Sequence, residues 1–251
     1  PRAGRCPTLK GVFLMAKADS SIKKQICPFL APGVRSIIEK LPAEFLKKTE
    51  EIRLRHSRPL IIGWAGGGES FLGEGGPVLT VEEAYLVFNT DLEKTLELIS
   101  GYSLYAFEEE LKQGFLTIPG GHRVGLAGRA VLEKGSIKIL RNISSLNFRV
   151  ARQVKGAGEK VLGFLFDRSN NRIYHTLVVS PPQAGKTTLL RDLARLISEG
   201  AGISGQTGKK VGIVDERSEI AGCFQGVPQL DVGTRTDVLD ACPKAEGIML
   251  M

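Results

Sequence analysis

Nine consecutive residues, Ser180-Pro-Pro-Gln-Ala-Gly-Lys-Thr-Thr188, have the types and spacing needed to hold phosphate. The phosphate-binding loop pattern is GxxxxGK[ST], and here it reads SxxxxGKT, with Ser180 in place of the first glycine. The loop of Ser180, Pro181, Pro182, Gln183 and Ala184 would turn its backbone N–H groups, which the two prolines lack, inward around phosphate oxygens, and the helix dipole that follows favours an anion there. Gly185 lets the backbone come close with no Cβ in the way. Lys186 would reach the β- and γ-phosphates of ATP, Thr187 would offer its hydroxyl to Mg2+, and Thr188 closes the loop. A second constellation follows: Asp215, Glu216 and Glu219 at the end of an apolar run. Such carboxylates can hold Mg2+ through water or orient an attacking water. They could be a Walker B acid pair, or an additional acidic box on the strand after the loop's helix.

Both groups need a scaffold. Residues 174–179 form a near-continuous apolar run before the loop, the pattern of a buried parallel strand. A helix is expected from Lys186 to about Ser198, with Leu189, Leu190, Leu193, Leu196 and Ile197 on its apolar face and Gly200 closing it. A Gly/Ser/Thr-rich loop leads to a second apolar strand over 210–214, whose end carries the acids. Strand, loop, helix, strand is one βαβ unit, with ligands expected at the carboxyl edge of its sheet. An amphipathic helix over 158–168 and a turn at Asn170-Asn171 would precede it.

The first half reads differently. Residues 15–50 carry short helical patterns, with apolar residues at helical spacing in 34–41. Strands are expected over 51–56, 59–64 and 70–72, separated by glycine-rich loops. Thr80-Val-Glu-Glu83 matches a capping box, which predicts helix from Thr80 to about Gly101, with one break. A second helix is expected over 105–112, then strands over 115–118, 123–132, 137–143 and 146–150. Residues 133–136 read as a hairpin turn. The chain is therefore α/β overall. An α+β domain with an antiparallel sheet spans 15–155, and a RecA-like phosphate-loop domain spans 156–251.

Composition excludes little else. The chain of 251 residues is 42% hydrophobic and 24% charged, ordinary for a globular protein. No apolar run approaches the ~20 residues needed to span a bilayer, and a cytoplasmic location is expected. The four cysteines (Cys6, Cys27, Cys223, Cys242) form no CxxC pair and read as reduced structural thiols rather than zinc ligands. The net charge of +7 admits a nucleic acid, an anionic surface, or arginines gathered around nucleotide phosphates. Residues 1–14 precede the first methionine, Met15, and are set aside from the fold reading.

The runs 180–193, 211–222 and 226–247 together resemble the stage III sporulation protein AA family of endospore-forming bacteria. Glu51-Ile-Arg-Leu-Arg55, Tyr102-Ser-Leu-Tyr-Ala106, Pro119-Gly-Gly-His-Arg-Val-Gly125 and Leu146-Asn-Phe-Arg-Val-Ala-Arg152 look like the same family, so the likeness runs from about Lys23 to the end. It implies kinship with the hexameric ATPases of type II and type IV secretion. It also implies a cytoplasmic homo-oligomeric ring, attached through membrane proteins to a channel between mother cell and forespore. In those ATPases an acidic box lies on the strand after the loop's helix, and Asp215, Glu216 and Glu219 match it, with Asp215 or Glu216 expected to position the water. Arg123 and Arg149 match amino-terminal-domain arginines near the nucleotide, with Arg152 a weaker match. Thr234-Arg-Thr-Asp237 is distinctive for the family. A further strand ending in the Walker B acids would be expected after Met251, and the 1–251 chain by itself is expected to lack appreciable ATPase activity. The alternatives are a nucleic-acid-linked ring ATPase and a nucleotide-binding scaffold with negligible turnover.

Overall fold

The computed structural model describes residues 22–64, 66–101, 108–133, 135–167, 169–170, 172–182, 184–200 and 207–251. The start of the helical pattern at residues 15–21, Cys6, the 102–106 motif, Asn171 and Gln183 lie outside the described residues.

A π-helical turn (Ile22–Ile26) and a 3-10 turn (Cys27–Phe29) lead into α1 (Pro32–Glu39) and α2 (Ala43–Lys48). Pro32 occupies the first position of α1, where its missing N–H costs nothing. Val34, Ile37, Ile38 and Leu41 fall on one face and are buried, as their spacing predicts. The strands β1 (Thr49–Arg55), β2 (Ile61–Trp64), β3 (Gly68–Gly73) and β4 (Gly76–Val78) form a meander. After α3 (Asn89–Ser100) and α4 (Glu108–Gln113) come β5 (Phe115–Ile118), β6 (His122–Glu133) and β7 (Ser136–Arg149). All seven join one antiparallel sheet in the order β4-β3-β2-β1-β7-β6-β5. Alternation sends Ile52, Leu54, Ile62, Leu72, Val124, Leu146 and Phe148 into a core shared with α1 and α3.

Several sequence expectations change here. The Thr80 capping box does not form, and the helix begins at Asn89 instead. Residues 85–87 are drawn along the sheet, where Tyr85 N–H donates to Leu72 O, while Tyr85 O and Val87 O accept from Leu60 and Ser57. Those backbone bonds win over the local cap. Asp91 caps α3 from within, accepting from the Phe88 N–H at 3.0 Å and from the Tyr85 hydroxyl at 2.9 Å. The two strands expected over 137–150 are one strand, β7, kinked near Asn142. Asn142 has φ +47, and a methyl at Gly128 would stand 2.7 Å from Arg141 O, so a bulge needs a glycine at this crossing.

In the second half, the helix expected over 158–168 shortens to α5 (Glu159–Leu162), ended by Gly163. The chain then forms a small hairpin of β8 (Phe166–Asp167) and β9 (Arg172–Ile173). Asp167 organises its turn by accepting from the Ser169 and Asn170 N–H groups. The strand expected over 174–179 is absent. The segment is irregular, with Leu177 86% and Val179 80% exposed, and among the described residues no strand lies beside it to take its backbone bonds. The helix after the loop forms as expected, α6 (Lys186–Glu199), closed by Gly200 in the left-handed conformation. The second strand, β10 (Val211–Asp215), pairs in parallel with β11 (Thr236–Asp240), and α7 (Lys244–Leu250) follows. The whole is a mixed α/β fold with an amino-terminal helical region and a β-sheet core. Among the described residues no helix is long and apolar enough to cross a membrane. Cys27, Cys223 and Cys242 are free thiols, and burial pushes Cys27 up to about 11 and Cys223 up to about 12, which keeps both protonated.

Candidate phosphate-binding site

Gly185 caps α6 with φ +86, a conformation in which a side chain would be strained, and nothing lies within 4 Å of where its Cβ would stand. Lys186 opens the helix. Its ammonium donates to Ser180 O at 2.7 Å, Pro181 O at 3.0 Å and Ser180 Oγ at 3.1 Å, so the loop wraps its own oxygens around the lysine. Ser180 thus serves as a lysine partner through its hydroxyl, which a glycine could not do. Pro181, Pro182 and Ala184 are exposed, while Thr187 and Thr188 are half-buried at the first turn of α6.

Thr187 lines a cavity of about 280 Å³, and it shares that cavity with Arg123, Arg149, Arg152, Arg191 and Glu219. Arg123 on β6 stacks 3.9 Å from the Phe115 ring centroid and approaches Glu219 Oε1 at 3.5 Å. Burial lowers its guanidinium pKa, which the Glu219 carboxylate opposes. Arg149 on β7 faces Arg123 across the β6–β7 ladder and Glu51 across the β1–β7 ladder. Among the described residues its guanidinium makes no hydrogen bond or ion pair. Arg152 bonds the Thr49 carbonyl with one nitrogen, while its buried Nε has no hydrogen-bond partner among the described residues. Four guanidinium groups around one carboxylate leave the cavity with an excess of positive charge.

The three acids separate. Asp215 is 3% exposed, and its two oxygens accept from the Glu219, Ile220 and Ala221 N–H groups at 2.9, 2.8 and 2.9 Å. Its carboxylate is spent on folding the loop after β10. Glu216 pairs with Lys244 at 3.0 Å and lines a different cavity of about 190 Å³, with Phe115, Phe224 and Asp240. Only Glu219 faces the cavity of Thr187 and the arginines.

Sequence reasoning missed Arg191. It is 7% exposed and donates from Nη2 to Glu219 O at 2.7 Å, from Nη1 to Arg152 O at 3.2 Å, and from Nε to Ile220 O. Its signal was present: a basic residue four positions after Thr187, on the same helical face. The Thr234–Asp237 motif also acquires a physical task. Arg235 bonds Ser198 Oγ through its N–H at 2.7 Å and Ser198 O through its side chain at 3.0 Å, docking β11 on the end of α6.

Other contacts tie the site to the seven-stranded sheet. Gln153 exchanges two bonds with the Asp231 backbone, at 2.9 and 3.1 Å. The Gly120 N–H donates to Gln229 Oε1 at 3.0 Å. Gly121 and Gly222, with φ +75 and +58, meet backbone to backbone, and a methyl on Gly121 would stand 3.1 Å from Gly222 O. Beside them His122 is buried and fully bonded, its Nδ1 accepting from the Ala151 N–H and its Nε2 facing Gln25 Oε1, each at 3.0 Å. Burial holds its pKa down at about 4.

Comparison with known proteins adds a lineage. The family model described as Sporulation stage III, protein AA matches residues 20–251. Stage III sporulation protein AA of Bacillus subtilis (strain 168) is 47% identical over 227 residues, which make up 90% of this chain and 68% of that protein. Among solved structures, the X-ray structure of the Legionella pneumophila ATPase DotB shares 13% identity with a TM-score of 0.41. That match takes in 83% of this chain and 50% of that one.

Proposed function

The chain belongs to the sporulation stage III protein AA family of sporulation-associated ATPases, and from that premise we propose that residues 180–188 close on the phosphates of ATP beneath arginines from the seven-stranded sheet. The observation that carries this reading is the cavity where Thr187 meets Arg123, Arg149, Arg152 and Glu219. In this reading residues 15–155 are one domain and 156–251 a RecA-like domain, and the cavity lies at their junction.

The residues fit the ligand. Lys186 already sits among three oxygen acceptors, and phosphate oxygens would take the places of Ser180 O and Pro181 O. The open left-handed turn at Gly185 leaves room for a close phosphate. Thr187 would ligate Mg2+, which when bound neutralises phosphate charge. Arg149, with no hydrogen bond or ion pair among the described residues, and Arg123, stacked on Phe115, would cover the transferring phosphoryl group. A guanidinium binds phosphate bidentately and keeps its charge. Glu219 is the acid that would orient the attacking water, because Asp215 is consumed by three backbone N–H groups and Glu216 by Lys244. The lineage further suggests a homo-oligomeric ring in the cytoplasm, held peripherally by membrane proteins of a sporulation channel.

Titration calorimetry with Lys186→Ala in the full-length protein tests the loop. ATP affinity should fall about tenfold or more, since a charge-assisted contact contributes roughly 1.5–3 kcal/mol. Unchanged affinity removes the phosphate-loop reading. In the full-length protein, Arg149→Lys tests the covering arginine: turnover should drop although the charge stays, with circular dichroism and melting temperature nearly unchanged. Wild-type turnover in Arg149→Lys and Arg149→Ala alike would leave Arg149 a surface residue.

A further inference from the structure

We infer that Arg191 is a positioning residue, one that sets where Glu219 and the arginine-bearing end of β7 stand relative to Thr187; the inference rests on the nucleotide site proposed above.

Arg191 lies one helical turn beyond Thr187 on α6, so the two side chains stack on one face. Its guanidinium spends its donors on three carbonyls in two other segments. Two of them, Glu219 O and Ile220 O, belong to the loop that Asp215 folds from the other side. The third, Arg152 O, lies three residues past Arg149. One rigid, planar group therefore spans the phosphate-loop helix, the acidic loop and the exit of β7.

The rest of α6 makes the choice of residue informative. Leu193 and Leu196 bury ordinary apolar side chains on this helix, whereas position 191 buries a cation with no carboxylate within ion-pair distance among the described residues. A buried charge bonded to carbonyls, with the Asp215 carboxylate acting on it only from beyond ion-pair distance, is costly, and an apolar residue of similar size would serve packing better. What the guanidinium adds is direction: several N–H vectors in one plane, which neither leucine nor lysine supplies. Each bond holds a backbone atom, so the neighbours' own side chains stay free to face the cavity. Arg191 also borders that cavity, so a direct role on phosphate is the competing account, and it makes a different kinetic forecast.

The test compares Arg191→Lys and Arg191→Gln with the unaltered sequence, all in the full-length protein, because the 1–251 chain by itself is expected to lack appreciable turnover. Phosphate release, ATP binding by calorimetry, and hydrogen exchange at the Glu219, Ile220 and Ala221 amides are all measured. A positioning role predicts turnover at least about tenfold lower in both variants, ATP affinity within about threefold, and faster exchange at those three amides. Exchange needs neither nucleotide nor turnover, so unchanged protection there overturns the inference on its own. Turnover within twofold of the unaltered protein also overturns it. An affinity loss as large as the turnover loss would make Arg191 a phosphate ligand instead. If neither variant folds, Arg191 is a residue of the fold and the inference falls. Should Lys186→Ala bind ATP normally, the nucleotide site is lost, yet the exchange result still decides whether Arg191 fixes the acidic loop.

Discussion

The seven-stranded sheet with its helices and the layer built from α6, β10 and β11 are held together by different means. The first has one continuous core running from Ile22 to Phe148. The second has two small clusters, one around Leu162, Leu165, Phe166, Leu193 and Leu196, the other around Ile213, Ala221, Cys223 and Val232. What the second lacks in apolar area it replaces with buried polar joints. Asp192 accepts from the Gly158 N–H at 2.8 Å and from Arg195, Asp215 takes three N–H groups, and Arg191 takes three carbonyls. Apolar burial is non-directional and tolerates small shifts, whereas hydrogen bonds weaken steeply with angle. The half carrying the phosphate loop is therefore the one whose geometry is fixed bond by bond.

Phe148→Ala should give the largest loss, about 3–5 kcal/mol by denaturant unfolding, because it empties the centre of the continuous core. A loss below about 1 kcal/mol would mean that this core is not what holds the sheet. Acid should separate the halves next. His122 is neutral when folded, with a pKa of about 4 against an ordinary 6.5, so between those values the unfolded chain binds the extra proton. Stability should fall as pH drops from about 6.5 toward 4, by up to about 3 kcal/mol, and His122→Asn should flatten that slope. Asp192→Asn probes a polar joint and should cost roughly 1.5–3 kcal/mol in the unfolding of the α6 layer. If the variant melts like the unaltered protein, the bond-by-bond picture of that layer is wrong. The smallest effect belongs to Val179→Thr, within about 0.5 kcal/mol, since the side chain is exposed. A larger loss in a melting curve would show that the segment before the loop is packed in solution.

Legibility in the sequence followed how locally each feature is determined. The start of α6 at Gly185-Lys186 and its stop at Gly200, the 133–136 hairpin turn and β5 depend on neighbours in the chain, and all were readable. Residues 79–88 were not, since their fate depends on backbone partners at Ser57, Leu60 and Leu72 that no local pattern announces. The 174–179 run has the composition of a buried strand, but a strand needs a neighbour to pair with. β11 escaped notice because Thr236-Asp-Val-Leu-Asp240 has a polar residue at each end and acquires its partner only through the parallel register with β10. At the site, the loop is legible as a motif and the resemblance points to Arg123 and Arg149, which line one cavity with Thr187. The separation of Asp215, Glu216 and Glu219 was not legible, because adjacent acids look alike until the fold of their loop sends each a different way.

The bulge at Gly128 and Asn142 has a mechanical corollary. Pairing of β7 with β1 ends at Ser145, and pairing of β6 with β5 ends at Gly125, so beyond the bulge the two strands have, among the described residues, only each other as ladder partners. At about 3.4 Å per residue, the five residue pairs from Arg129–Arg141 to Glu133–Ser136 form an arm of roughly 17 Å. Pivoted at its root, such an arm turns a 10° change of bend into a tip displacement of about 3 Å, on the scale of the ~3.4 Å rise of a single strand residue. Its root lies on the same two strands that carry Arg123 and Arg149, so an angular change of that ladder is magnified at the Leu132–Ile137 end.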